Sequence, residues 1–290
     1  MTDERKETDP IDLCISLFYN KSVWDVLVTN AIRPFVQGNK KIISYGIYMG
    51  ETRGEHIKLV LKAEKENANA VALGADTHFK AFLSNNPSTN APIEKKQEGF
   101  FMDYGNNSIQ YGIYDDFYDH PGIIDIKKGF SDFLITLCEN YGRELVDDTE
   151  ELFIPLLTIL YNALPYDHGE KRTFFTKFIE EEQKKYTEEQ VEKIMATSGQ
   201  DFMENKEALL EYLGEYIGKK EYEDASEIKW WRLISTFFQK NCTGIVEKDI
   251  VIVGEVLLLL VRTLNIRNTI GLYSLFTKTI EHLSIEGSKI

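Results

Sequence analysis

Two segments of the 290-residue chain carry side chains whose types and spacing could do chemistry. In the first, His56-Ile57-Lys58-Leu59-Val60, strand alternation sends His56 and Lys58 to one face and Ile57 and Leu59 to the other. An imidazole can move protons near neutral pH, and an ammonium group can bind an anion or a carbonyl oxygen. Together with Arg53, these residues predict a pocket for an anion or a peptide backbone, although an exposed strand face has the same pattern.

The second segment begins at a pair of tryptophans and has helical spacing. It brings Trp231, Ser235 and Phe238 to neighbouring faces, so that a hydroxyl is presented among large rings. Gln239 and Asn241 add hydrogen-bonding groups. A pocket wall is one interpretation; the alternative is that the serine hydroxyl bonds a carbonyl of its own helix.

Other polar clusters carry less information. The carboxylates of residues 115–119 beside His120 lack the spacing of metal ligands, and Asp167 beside His168 is better explained as a helix cap. The chain has no glycine-rich nucleotide loop, no His-Glu-x-x-His and no Gly-x-Ser-x-Gly. The three cysteines are far apart and form no Cys-x-x-Cys pair. We therefore expect no metal, no cofactor and no disulfide framework.

The charge balance disfavours some partners. Lysine and arginine number 33 against 47 aspartate and glutamate, and the resulting net charge of −14 repels polyanions. Nucleic acid and anionic membranes are therefore unexpected partners. The longest apolar run, residues 250–261, contains Glu255 and is too short to span a bilayer, and the charged amino terminus has no signal-peptide core. We expect a cytoplasmic globular protein.

Strands are predicted in the first third of the chain. Alternating apolar residues indicate strands near residues 13–19, 42–48 and 56–61, and the last two form a hairpin through Gly50 and Gly54.

Helical spacing dominates from residue 123 onwards. Earlier helices are predicted at 23–35, ended by Pro34, and at 67–83, and two separate helices are predicted at 188–195 and 206–216. We expect one α+β domain, 1–290, in which a mostly antiparallel amino-terminal sheet (1–121) packs on a larger helical part (122–290).

The hairpin resembles a known family. Tyr45-Gly-Ile-Tyr48, followed by Gly54-Glu-His-Ile-Lys-Leu-Val-Leu61, is similar to the strand pair with a His-Ile-Arg-Leu-Arg core in the carboxy-terminal glutamate-elimination domain of class I lantibiotic dehydratases. Further matches follow in the same order, at residues 114–122 with the helix after them and at residues 233–264. The resemblance implies the fold of that domain.

Some residues that the elimination enzymes use are replaced in this chain, and these replacements indicate which relatives it resembles most. The elimination enzymes hold a glutamyl ester with arginines and use a histidine as acid or base. At the matching positions this chain has Lys58 and Val60 in the strand, and Phe237 and Gln239 in the helix when Asn241 anchors the alignment. An elimination enzyme without that histidine lacks its proton carrier. The relatives that keep the fold and lose these groups are the stand-alone pyridine synthases of thiopeptide biosynthesis, the thiocillin type among them.

This resemblance implies a reaction on a modified precursor peptide, with no cofactor. Two dehydroalanines undergo a formal 4+2 cycloaddition, one of them as its iminol tautomer, and loss of water and of the leader peptide gives a pyridine. The implied acid or base is His56 or Tyr48, and Ser235 and Gln239 would bind the iminol or a neighbouring carbonyl. The implied substrate-binding residues are Tyr45, Arg53 and Lys58 on the sheet, and Trp231, Phe238 and Asn241 on the helix, the two helix aromatics stacking on thiazoles.

Two other functions stay open from the sequence. One is a split glutamate-elimination enzyme for glutamylated serine and threonine, which requires a basic pocket. The other is a scaffold that binds a leader peptide without catalysis. The oligomeric state is also open, with a homodimer among the alternatives.

Overall fold

The computed structural model describes residues 10–89, 103–112, 123–147 and 149–285, and it shows an α+β protein. The predicted acidic cluster at 115–120 and the family match at 114–122 lie outside the described residues. The chain divides into two compact units: Met1–Asp119, Ile124–Asp147 and Arg262–Asn265 form the first, and His120–Ile123, Asp148–Val261 and Ile266–Ile290 form the second. The expectation of one domain stays a prediction.

The first unit contains the sheet and the helices around it. Its elements are β1 (Ile11–Phe18), α1 (Trp24–Leu27), α2 (Arg33–Gly38), β2 (Ile42–Gly50), β3 (His56–Ala63), α3 (Lys65–Asn85), β4 (Ser108–Tyr111), α4 (Ile124–Tyr141) and α5 (Glu144–Asp147). The strands lie in the order β2-β3-β1-β4, and every neighbouring pair is antiparallel. The predicted hairpin and the predicted antiparallel sheet are therefore confirmed.

One face of this sheet is the apolar core of the first unit. Alternation brings Ile15, Ile47 and Leu59 into one row across β1, β3 and β2, and each is at most 2% exposed. Helix α3 contacts β1, β3 and β4 and buries Val71 and Phe79, because its apolar residues recur at helical spacing.

Helix α4 protects the open edge of β2. The Ser131 hydroxyl accepts a hydrogen bond from the backbone N–H of Ile47 at 2.9 Å, in a buried position. Among the strands that the structure describes, none lies beyond β2 at this N–H, so without a partner it would be a buried unsatisfied donor. The serine therefore ends the sheet at β2 and holds α4 against it.

Pro34 does not end the first helix, contrary to the sequence prediction. A π-helical turn, Val28–Ile32, joins α1 to α2, and the N–H of Arg33 bonds the carbonyl of Val28, five residues earlier. Pro34 is the second residue of α2, directly after this wider turn, and its missing N–H removes one helical hydrogen bond without ending the helix. The chain stays helical to Gly38.

The second unit is helical. Its elements are α6 (Thr149–Ala163), α7 (His168–Gln183), α8 (Glu188–Tyr216), α9 (Ala225–Asn241), α10 (Val246–Leu264, whose last turn belongs to the first unit) and α11 (Thr269–Ile285). The two helices predicted at 188–195 and 206–216 are wrong, because α8 is continuous. Ser198 and Phe202 are buried in its middle, and the Ser198 hydroxyl donates to the Gly271 carbonyl at 3.0 Å. Packing against α11 overrides weak local helix propensity here.

A hydrogen-bonded chain joins α6, α7 and α11. Ser284 donates to the Ile280 carbonyl at 2.9 Å, so Nε2–H of His168 donates to the Ser284 hydroxyl at 2.7 Å and Nδ1 accepts from Tyr161. This arrangement requires a neutral imidazole. Burial, followed by the charges of Lys171 and Arg172, lowers the pKa of His168.

Acidification should therefore destabilise the fold through His168. Its pKa is lowered in the folded state, so its contribution is complete above the ordinary value of 6.5 and is lost as the pH falls below it. We expect the free energy of unfolding, measured by urea denaturation from about pH 7.5 to about pH 5.5, to fall more steeply in wild type than in His168→Gln. Thr173→Ala, an exposed α7 variant, should keep the wild-type slope. Equal slopes in wild type and His168→Gln would contradict this account.

Candidate active site

The sheet has a second face, and its side chains are of a different kind. The register of β1, β2 and β3 puts Ser16, Lys58 and Tyr48 in one row, and Phe18 and His56 in the next row, with Gly50 opposite the histidine. We call the face that carries Ser16, Phe18, Tyr48, His56 and Lys58 the His56 face. It combines an imidazole, a phenol, an ammonium group and a hydroxyl on neighbouring strands.

The imidazole of His56 lies over Gly50. A Cβ atom added at Gly50 would be 2.8 Å from Nε2 and 2.9 Å from Cε1 of the ring. Real Cβ atoms do not approach this closely, so the ring occupies the space that any other residue at position 50 would fill. The glycine thus determines where the imidazole lies.

The phenol of Tyr48 lies over Gly46 in the same way. A Cβ atom added at Gly46 would be 2.6 Å from the phenol oxygen and 2.8 Å from Cε2. Tyr48 is 5% exposed, and its ring therefore lies along its own strand above Gly46. In β2 the two glycines flank Tyr48 at a spacing of two residues on the same face.

The tautomer of His56 follows from one hydrogen bond. Nδ1 is 2.8 Å from the carbonyl oxygen of Gly54, which can only accept, so Nδ1 carries the proton. In the neutral ring Nε2 then holds the lone pair. The nitrogen above Gly50 is therefore the one that can take a proton.

A stack of rings fixes the plane of this imidazole. The Arg53 guanidinium lies 4.2 Å from the ring centroid of Tyr104, Tyr104 is 4.9 Å from Phe18, and Phe18 is 4.9 Å from His56. Arg53 Nη1 also donates to the Tyr104 hydroxyl at 3.0 Å. Arg53 lies at the hairpin tip, as predicted, with a φ of 62°. Its charge is directed to the end of this stack.

Lys58 is buried on the His56 face, with 4% exposure. The residues opposite it are Ser16 on β1 and Tyr48 on β2, and both side chains can accept a hydrogen bond from an ammonium group. A buried cation is costly unless polar groups surround it, so this row is a polar site within the sheet. Such a site suits an oxygen that gains negative charge.

Tyr45 does not join these residues. It is three positions from Tyr48, so the alternation of β2 sends it to the apolar face, opposite Leu61. Its hydroxyl donates to Asp132, and the Nζ atom of Lys128 is 5.1 Å from its ring centroid. Burial and this hydrogen bond raise the pKa of Tyr45. Tyr45 therefore contacts helix α4 and lies on the opposite face of the sheet from His56 and Lys58.

The residues predicted on the helix side all lie in α9, in the second unit. The Ser235 hydroxyl donates to the Trp231 carbonyl at 2.6 Å, which is the alternative that the sequence left open. The Asn241 amide likewise donates to its own helix, at Phe237. Gln239 is exposed. The described site geometry is therefore that of the sheet residues alone.

The two aromatic residues predicted to stack on substrate differ in exposure. Phe238 is fully buried, which corrects the expectation of a stacking surface. With Trp230, Ile234 and Phe237 it forms the apolar stripe of α9, and a stripe at this spacing is a core face. Trp231 is half-buried, 5.5 Å from the ring of Tyr222.

Sequence reasoning missed Ser16 and Phe18, and it did not place Tyr104 beside them. Alternation in β1 separates Ser16 and Phe18 from the apolar Ile15 and Leu17, so their common face was readable once the pairing of β1 with β3 was known. Tyr104 lies outside the strands, and its contact with Phe18 depends on the backbone hydrogen bond from Tyr104 N–H to the Arg53 carbonyl. No pattern in the local sequence predicts that hydrogen bond.

Within the part of the chain that the structure describes, no helix has both the length and the apolar character needed to cross a bilayer. The same residues contain no group of three or more histidine, cysteine, aspartate or glutamate side chains arranged for a metal ion.

Comparison with known proteins identifies the fold. No protein-family profile and no curated protein matches the sequence. Among solved structures, the chain is similar to the pyridine synthase TbtD from thiomuracin biosynthesis, with a TM-score of 0.66 and 12% identity over 95% of this chain and 99% of that chain. The chain has the pyridine synthase fold. It is also similar to TsrL, with a TM-score of 0.59 and 11% identity over 96% of each chain.

This shared fold agrees with the α+β class expected from the sequence. At 12% identity, a shared fold does not assign functions to individual residues. The chemistry of the His56 face is therefore argued from the contacts within this chain. Those contacts are the imidazole over Gly50, the phenol over Gly46 and the buried Lys58.

Gly50→Ala should displace the His56 ring. The new methyl group would contact the ring at 2.8 Å, so the ring must move, and overpacking of this kind costs about 1–3 kcal/mol. We expect the imidazole NMR signals of His56 to shift while those of the other four histidines stay in place.

Gly38→Ala is the matched control, because an added Cβ there meets nothing within 4 Å. It should leave every imidazole signal unchanged. If Gly50→Ala also left the His56 signals unchanged, the position of the ring over Gly50 would be refuted.

Proposed function

We propose that this protein is a thiopeptide pyridine synthase that acts on a modified precursor peptide in the cytoplasm. The observation that carries the proposal is the likeness to TbtD over nearly the full length of both chains, 95% and 99%. The His56 face supports it, because it offers acid–base and hydrogen-bonding groups on one rigid sheet.

The proposed reaction balances without an oxidant. The β-carbon of one dehydroalanine, as part of a 2-azadiene formed by iminol tautomerisation, bonds the β-carbon of the second. The carbonyl carbon before the first dehydroalanine bonds the α-carbon of the second. The ring then loses the iminol oxygen as water and the leader as a carboxamide, and each former methylene carbon gives up one proton. A pyridine, one water and one amidated leader result.

His56 is the proposed proton carrier. Nε2 holds the lone pair while Nδ1 donates to Gly54, so Nε2 takes the amide proton as the iminol forms and later serves the two eliminations. The Tyr48 phenol is the proposed donor to an oxygen of the substrate, and the buried Lys58 is the proposed stabiliser of negative charge on that oxygen.

Positioning accounts for the rest of the proposed catalysis. Two alkenes of a long peptide must meet, and holding reacting groups in the right geometry can contribute several kcal/mol. The ring stack through Phe18 and Tyr104 gives the His56 face a fixed aromatic edge against which flat thiazoles can lie. Ser235, Gln239, Trp231 and Asn241 stay candidate contacts to the peptide.

Intact mass spectrometry tests this proposal. The purified protein is incubated with a leader-bearing peptide that contains thiazoles and dehydroalanines, with no added cofactor. We expect a core peptide that has lost one water together with release of an amidated leader. An unchanged mass for this peptide, with loss of glutamate from a glutamylated peptide, would instead identify a split elimination enzyme. Tight binding with no change in either mass would identify a scaffold.

Substitutions on the His56 face should lower turnover selectively. We expect His56→Gln to lower kcat by about 100-fold or more, because general acid–base groups contribute about 10²–10⁴. Lys58→Met should also lower kcat. Thr236→Ala, an exposed α9 variant outside the candidate residues, serves as the comparison and should stay within about threefold of wild type. A His56→Gln variant with wild-type kcat would rule out this face as the catalytic site.

A further inference from the structure

Tyr104 lies outside the strands, ahead of β4, and contacts the hairpin tip through Arg53 in three ways. Its backbone N–H donates to the Arg53 carbonyl at 2.8 Å. Its hydroxyl accepts from Nη1 of Arg53 at 3.0 Å, and the guanidinium carbon is 4.2 Å from the centre of its ring. Two hydrogen bonds and a cation–π contact therefore join one residue of the loop to one residue of the hairpin.

The backbone of Arg53 needs such contacts. The Gly54 N–H donates to the Glu51 carbonyl at 3.2 Å, so residues 51–54 form a turn in which Arg53 is the third residue. Its φ of 62° is in the left-handed region, which disfavours residues that have a Cβ atom. A residue keeps this conformation only where surrounding contacts impose it. The three contacts with Tyr104 serve this purpose.

Gly54, the next residue, connects this turn to the imidazole. Its carbonyl oxygen accepts the Nδ1 proton of His56 at 2.8 Å. A Cβ atom added at Gly54 would be 3.3 Å from Cδ1 of Phe18 and 3.5 Å from the Tyr104 carbonyl oxygen, so both neighbours pack closely on the glycine. The Tyr104 contacts thus hold the part of the backbone that presents the carbonyl to His56.

Tyr104 also reaches the imidazole through a ring. Its ring centroid is 4.9 Å from that of Phe18, which is 4.9 Å from that of His56 with the two planes 32° apart. Phe18 is 3% exposed and lies against His56, Tyr104 and Gly54. Without the Tyr104 ring, Phe18 would have space to turn away from the imidazole, because a cavity would remain beside it.

The segment that carries Tyr104 has attachments of its own. The backbone N–H of Asn107 donates to the Phe18 carbonyl at 2.8 Å. The Asn107 side chain accepts from the Ser88 N–H at 2.8 Å and donates to the Ser88 carbonyl at 2.9 Å. Its φ of 59° is one that asparagine tolerates better than most residues. These bonds hold the loop independently of Arg53, so Tyr104 can support the hairpin tip.

We propose that Tyr104 is a positioning residue of the His56 face. Through Phe18 it sets the plane of the imidazole, and through Arg53 and Gly54 it keeps the carbonyl in place that holds the proton on Nδ1. The inference rests on the proposed function for the reaction that His56 serves. A misplacement of about 1 Å can cost about 100-fold in rate, so loss of the Tyr104 ring should lower kcat.

Nitrogen NMR of histidine-labelled free protein tests the positioning without any turnover. At about pH 8.5, where an ordinary imidazole is neutral, we expect Nδ1 of His56 to give the signal of a protonated ring nitrogen and Nε2 that of an unprotonated one. In Tyr104→Leu both signals should move toward intermediate positions, because the ring then exchanges between its two tautomers.

The control is Tyr186→Leu, which changes an exposed tyrosine of the second unit and should keep the wild-type signals. Tyr104 is half-buried and lies outside the strands, so its variants should fold. Unchanged signals from the other four histidines report that they have done so. If Tyr104→Leu also left the His56 signals as they are in wild type, the proposal would be overturned.

Kinetics of two variants separate the ring of Tyr104 from its hydroxyl. Tyr104→Phe keeps the ring beside Phe18 and loses the hydrogen bond from Nη1 of Arg53, so its kcat should stay within about threefold of wild type. Tyr104→Leu should lower kcat at least about tenfold. Equal losses in the two variants would overturn the role of the ring. A raised KM with a wild-type kcat in Tyr104→Leu would make Tyr104 a substrate contact only.

These results separate the positioning role from the proposed function. Pyridine formation by Tyr104→Leu at the wild-type rate refutes the positioning role alone. Loss of the single His56 tautomer in Tyr104→Leu, in a protein whose wild type forms no pyridine, refutes the proposed function. Tyr104 then stands as the residue that positions the imidazole for another reaction.

Discussion

The absence of side chains at Gly46 and Gly50 is the constraint on which the candidate site depends. Each glycine leaves room for one ring, and a Cβ atom at either position would lie within 3 Å of the phenol of Tyr48 or the imidazole of His56. The rings lie over these two positions because β2 has no side chain there. The antiparallel register then sets Lys58 in the row beside His56. The two glycines and the strand register thereby determine how Tyr48, His56 and Lys58 are arranged.

The chemistry follows from where the polar groups are held, since the sheet is a rigid support. Nδ1 of His56 donates to the Gly54 carbonyl, so the lone pair of the neutral ring is on Nε2, and Phe18 contacts the ring from the side. At the β2 edge of the sheet, the Ser131 hydroxyl accepts from the backbone N–H of Ile47, which holds α4 against this strand. The proposed reaction has to bring two alkenes together, and groups that are held in fixed positions lower the entropic cost of such a step.

Periodicity in the sequence predicted much of the fold and part of the site. The hairpin, the placement of His56 and Lys58 on one face and most helices followed from patterns of two and of 3.6 residues. The unbroken α8 did not, because the burial of Ser198 depends on α11, far away in sequence. Phe238 was assigned to a substrate surface although its spacing with Trp230 and Ile234 already indicated a core stripe. The ring stack needed three-dimensional contacts that no local pattern contains.

The most direct measurement of the central claim is a structure of the protein with an unreactive substrate analogue, in which alanine replaces the two dehydroalanines of a leader-bearing, thiazole-containing peptide. The account predicts that the carbonyl oxygen or amide nitrogen before the first alanine lies about 3–3.5 Å from Nε2 of His56 or the phenol oxygen of Tyr48. An analogue bound with its alanines away from the His56 face would contradict it.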